Sequence, residues 1–94
     1  MNYQLLITHQ LNEDIAKSEE MAKAVYNAIE RFNNCDWGNL PEEDKTANNI
    51  DLLNRDGHVL AKYETPNGDI YINLVFDDPE GEKDSALLMY CNEY

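Results

Sequence analysis

Positive charge is what this chain most lacks: seven Lys and Arg stand against 19 Asp and Glu in 94 residues, a formal net charge of -12. The deficit opposes binding to nucleic acid or to an anionic membrane and favours a cationic partner. Cysteine is scarce as well. Cys35 and Cys91 stand alone with no secretory leader before them, so two reduced, partly buried thiols are expected rather than a disulfide. The four glycines, Gly38, Gly57, Gly68 and Gly81, are dispersed at turns, which argues against a phosphate-cradling loop and so against nucleotide binding. No apolar run reaches bilayer-spanning length, and Met1 to Ile7 lacks the basic start of a signal peptide. A cytoplasmic protein is therefore expected.

What the chain does have is enough apolar material for one core. Apolar residues make up 43% of it, including six Tyr, two Phe and one Trp, so its charge does not imply disorder. The length fits a single domain, residues 1–94. Acids recur in every section, from Glu13-Asp14 and Glu19-Glu20 through Glu42-Glu43-Asp44 to the run from Asp77 to Asp84, so they belong to the folded body and not to a detachable tail.

Hydrophobic spacing gives the elements. Tyr3 to His9 alternate and read as an edge strand. Leu11, Ile15, Ala22, Val25, Ile29 and Phe32 form one helical stripe, predicting a helix from about Asn12, its N-cap, to Phe32. A second helix is announced by Pro41 and by Glu42, Glu43 and Asp44, which suit the positive end of a helix dipole. Its buried stripe is expected to be Ala47, Ile50 and Leu53, with Lys45, Asn48, Asp51 and Arg55 solvated. Beyond Gly57, Val59–Glu64 and Asp69–Phe76 flank Pro66-Asn67-Gly68 as a hairpin, and Ala86–Cys91 forms a last strand. The expected fold is α+β, with two helices on one face of a three- or four-stranded antiparallel sheet.

The stretch Asp36-Trp37-Gly38-Asn39-Leu40-Pro41-Glu42-Glu43-Asp44-Lys45, then Ala47-Asn48, Leu60-Ala61-Lys62-Tyr63 and Glu93-Tyr94, resembles a family of small, uncharacterised proteins carried by plasmids, phages and other mobile elements. That resemblance implies a mobile-element origin and no reaction. The chain departs from the pattern between its last strands, where the carboxylate-rich run Asp77 to Asp84 replaces a short Asp-Arg-Ser and Thr-rich segment, so any role of that segment is not carried over.

Catalysis is not signalled. His9 and His58 lie far apart without a metal-binding or triad motif, and Cys35 has no evident cation to activate it. The acids from Asp77 to Asp84 invite a calcium reading, but Gly81 and the closing carboxylate miss the EF-hand positions. Neither a cofactor nor a metal is expected. Trp37 fits an interface anchor, but wedging into the core, with Gly38 permitting the turn, is the expected role.

The charge pattern points to a non-enzymatic inhibitor from a phage or plasmid, of anti-CRISPR or anti-restriction type. Its expected partner is a basic, nucleic-acid-handling surface of a host nuclease, with no direct contact to nucleic acid or membrane. Glu42, Glu43, Asp44, Asp51, Asp77, Asp78, Glu80, Glu82 and Asp84 are the expected acceptors for Arg and Lys. The competing reading is that these acids only solvate the surface. Two further alternatives are a regulatory interaction module using Tyr63, Tyr71 and Tyr90 on an exposed sheet face, and a hydrolase using His58. The expected state is a monomer or a weak homodimer joined through an edge strand.

Overall fold

Period-two alternation in three segments builds most of a sheet, seen in a computed structural model that describes residues 1–80 and 83–94. Strands β2 (His58–Tyr63), β3 (Ile70–Val75) and β4 (Ser85–Tyr90) are antiparallel neighbours. Each buries its alternate residues: Val59, Ala61 and Tyr63, then Ile70, Ile72 and Leu74, then Ala86, Leu88 and Tyr90. Strand β1 (Gln4–Ile7) completes the order β1-β4-β3-β2 and runs parallel to β4. The sheet is thus mixed rather than antiparallel throughout. No hairpin ties β1 to β4, because the helices and two strands intervene, so their relative direction is free of turn geometry.

The helical stripe folds as two helices, α1 (His9–Lys17) and α2 (Glu19–Asn33), not one. Ser18 adopts extended angles, φ -138 and ψ 118, and its side chain accepts the Met21 N–H, capping α2. A serine that bonds its own backbone in this way competes with helix continuation. Thr8, not Asn12, occupies the N-cap position of α1, and His9 opens that helix instead of closing β1. Leu11, Met21, Val25, Ala28 and Phe32 then pack on the buried sheet face. The α+β architecture is as expected, with three α-helices among the described residues in place of two.

The third helix, α3 (Glu42–Asn54), lies along β2 with its face reversed from expectation. Asn48 is buried and Leu52 packs against the core, whereas Ile50 and Leu53 are 52% and 84% exposed. The cause is the open side of β2. The Asn48 carboxamide donates to the Leu60 carbonyl at 2.9 Å and accepts the Leu60 N–H at 3.4 Å, standing in for a neighbouring strand. One step along, the Lys62 N–H donates to the Trp37 carbonyl and the Asn39 N–H donates to the Lys62 carbonyl. Edge groups left unpaired invite aggregation, and here they are closed by dedicated residues.

Trp37 is buried in the core, as expected, with its indole N–H donating to Asn49 Oδ1 at 2.8 Å. Gly38 has φ 79, and a Cβ there would sit 1.9 Å from the Lys62 carbonyl oxygen. No other residue fits that approach. At the far side of the sheet, β1 leaves Leu5 and Leu6 exposed.

Candidate partner-binding face

The C-terminal end of α3 organises the acids around it. Arg55 ends the helix in the left-handed region, φ 52, where glycine is the usual residue. A side chain is needed there because the guanidinium holds the β3–β4 connection. It donates to Asp84 Oδ2 at 2.7 Å and Oδ1 at 3.0 Å, and to the Asp78 carbonyl at 2.5 Å. Arg55 also stacks over the Phe76 ring, 5.1 Å from its centroid. Asp84 is buried and additionally accepts the Asp78 N–H. The Arg55 hydrogen bonds hold the Asp84 carboxyl below the usual carboxylate range, against the opposing effect of burial.

Asp84, expected as a surface contact, is therefore an internal anchor. Burial in a guanidinium clamp removes it from any partner. Asp78 serves the same clamp through its carbonyl, and its carboxylate accepts the Glu80 N–H in a local turn. Glu82 lies outside the described residues. The remaining expected residues are at the surface: Glu42, Glu43, Asp44, Asp77 and Glu80 are exposed and Asp51 is half-exposed. Among the described residues only Glu42 of these has an ion pair, with Lys45 at 3.6 Å. Asp77 accepts a hydrogen bond from Ser85.

These groups lie around one helix. Glu42, Glu43 and Asp44 occupy the first turn of α3, Asp51 the last, and Asp77 and Asp78 line a hollow with Asn54 and Arg55 at its end. The thirteen residues of α3 span about 20 Å. Helix dipole physics accounts for the acids of the first turn but not for Asp51, whose charge opposes the dipole near the C-terminus. Between the acidic ends, at helical steps of three, Ala47, Ile50 and Leu53 point outward. Reading these three as core missed them. The signal was the adjacent Leu52, which serves the core equally well once Asn48 turns inward.

The other expected groups fare differently. Tyr63 is buried and donates to the Asp36 carbonyl at 2.7 Å, while Tyr90 is buried and donates to Asp14. Neither is an exposed sheet aromatic, because each belongs to the core-facing alternation of its strand. Tyr71 lies on the opposite face, edge-on to Tyr94. His58 shares a hollow of ≈ 270 Å³ with Asp44 and Asp51. No hydrogen bond or ion pair orients its imidazole among the described residues. No group of three or more His, Cys, Asp or Glu among the described residues is placed to hold a metal ion. No helix among them is long and apolar enough to cross a membrane.

Comparison with known proteins finds no matching family model, no matching curated protein and no matching solved structure.

Proposed function

We propose that this chain is a non-enzymatic acidic blocker of phage or plasmid origin, of the anti-CRISPR or anti-restriction type. It acts in the host cytoplasm, where α3 and the β3–β4 connection occupy a basic, nucleic-acid-handling surface of a defence nuclease. The observation that supports this reading most is the arrangement about Arg55. By clamping Asp84 and the Asp78 carbonyl, it ties these two residues to the end of the helix that carries Glu42, Glu43, Asp44 and Asp51. The acids of α3 and of the segment after β3 then lie near one another, available to Arg and Lys.

The contacts assigned to the partner are Glu42, Glu43, Asp44, Asp51, Asp77 and Glu80. A field of this kind speeds association with a basic groove and is screened by salt. The decisive experiment adds the purified protein to reconstituted CRISPR and restriction nucleases and measures cleavage. Inhibition that weakens with salt, and is lost in Glu43→Lys/Asp44→Lys and in Asp77→Lys/Glu80→Lys, supports the reading. Inhibition indifferent to both, or none across the panel, overturns it.

A second contact is favoured by a separate feature, the uncovered β1 edge with exposed Leu5 and Leu6. Pairing of that edge with a second copy would give a weak homodimer. Sedimentation in which Leu6→Lys leaves self-association unchanged would remove it.

A further inference from the structure

Leu53 is the most exposed large apolar side chain among the described residues, at 84%, and Ile50, one helical step before it, is 52% exposed. Neither can turn inward, since Asn48 and Leu52 already fill the inner face of α3 and Asn48 is bonded to β2. Ala47 extends the same stripe toward Glu43, and Asn54 leads to the hollow that holds Asp77 and Asp78. The outward centre of the proposed acidic face is therefore apolar. A surface built only to imitate a phosphate backbone has no use for aliphatic groups there. An apolar centre rimmed by charge is the layout of a protein–protein contact.

We infer that Ile50 and Leu53 form an anchor site for a cationic protein segment that presents an aliphatic or aromatic side chain flanked by Lys or Arg. This rests on the acidic-face reading above and specifies its partner. Charge complementarity selects the occupant. Glu43, Asp44 and Asp51 each lie one helical turn from Ala47, at the N-terminal end of the stripe, and cations from the partner neutralise them while its apolar residue covers Ile50 and Leu53. A second copy would set these carboxylates against their own equivalents, and an anionic lipid surface would be repelled likewise. Part of the binding free energy is then insensitive to salt, because burial of apolar area is not screened.

The test uses two synthetic probes of equal charge, an amphipathic Leu/Lys peptide and an oligolysine, with affinity read by fluorescence anisotropy. Both are expected to bind in low salt, and only the Leu/Lys peptide to persist at about 0.5 M salt. Ile50→Ser/Leu53→Ser should weaken the Leu/Lys peptide about tenfold or more at both salt concentrations and leave oligolysine binding unchanged. Because both side chains are exposed, the melting temperature should not fall, and Leu53→Gln alone repeats the test with less change. Equal affinity of the variants and the parent for the Leu/Lys peptide overturns the anchor. Sedimentation showing a dimer that Ile50→Ser/Leu53→Ser dissolves also overturns it, in favour of a second copy. Absence of oligolysine binding in low salt, with the Leu/Lys result intact, counts against the acidic-face reading and leaves the anchor standing.

Discussion

Arg55 donates two hydrogen bonds to the buried carboxylate of Asp84, 29 residues further along the chain, from a backbone position that ordinarily selects glycine. The left-handed conformation is a local cost accepted because only a side chain closes the clamp. Removing one partner leaves the other charge unsatisfied. Arg55→Ala is expected to lower stability, chiefly by leaving the buried Asp84 carboxylate without its cation. Asp84 has its carboxyl depressed by this clamp, so its contribution is complete above the ordinary Asp value of about 3.9. It is lost as pH falls through the lower value in the folded state. Denaturant melts from pH 6 down to about pH 2.5 should show that fall in the parent and a shallower one in Asp84→Asn.

Asn48→Leu looks conservative on a helix whose neighbours are apolar, yet it is expected to be costly. It strips the Leu60 N–H and carbonyl of their partner at a part-buried edge. A loss of about 2 kcal/mol follows from unsatisfied backbone groups. The exposed edge should also raise aggregation. Chemical denaturation and light scattering on the same variant check the two effects, and unchanged values for both would show that Asn48 is dispensable.

Gly38→Ala is expected to be the most damaging single methyl in the chain. Its Cβ would overlap the Lys62 carbonyl, which is backbone and cannot swing aside. The approach of Trp37-Gly38-Asn39 to β2 would be lost, together with the Tyr63 hydroxyl bond to the Asp36 carbonyl. A cost of about 3 kcal/mol or more is anticipated. Thermal unfolding of Gly38→Ala beside Gly68→Ala, where a Cβ meets open space though φ is again positive, separates overlap from backbone strain.

The hairpin and the three antiparallel strands were legible because period-two alternation and Pro-Asn-Gly are local signals. The parallel β1–β4 pairing was not, since nothing in Tyr3 to His9 encodes the direction of a strand that far away. Ser18 was passed over because its neighbours keep helical spacing, and only its own hydroxyl breaks the run. The face of α3 differs from expectation for a physical reason: apolar periodicity favours Ala47, Ile50 and Leu53 inside, whereas the unpaired edge of β2 draws Asn48 inward. For the candidate site, Glu42, Glu43, Asp44, Asp51, Asp77 and Glu80 stay accessible. Asp84 did not, because a carboxylate destined for a buried clamp looks in sequence like any other in an acidic loop.

The two thiols should differ in reactivity. Cys35 is exposed, contrary to the partly buried site expected for it, because it follows the end of α2 in a left-handed turn with φ 60. Cys91 is half-buried, and desolvation pushes its thiol up. Alkylation at neutral pH should label Cys35 first and Cys91 slowly, with the rate at Cys91 rising toward higher pH. Equal rates at both sites would contradict the packing of the C-terminal turn.

Acids kept for a partner should be separable from acids kept for the fold by the sign of their effect on stability. Glu42, Glu43 and Asp44 sit where the α3 dipole favours negative charge, so neutralising each to Gln or Asn should cost about 0.3–1 kcal/mol. Asp51 sits in the last turn, where the same dipole opposes it, and Asp77 and Glu80 lie beyond the helix in a chain of net charge -12. Asp51→Asn, and Asp77→Asn with Glu80→Gln, should leave the melting temperature unchanged or raise it slightly, because they relieve self-repulsion. The same variants should bind oligolysine more weakly and with a smaller salt slope. Stability that falls on neutralising Asp51 would mean that this carboxylate serves the fold, and it would then leave the set of partner contacts.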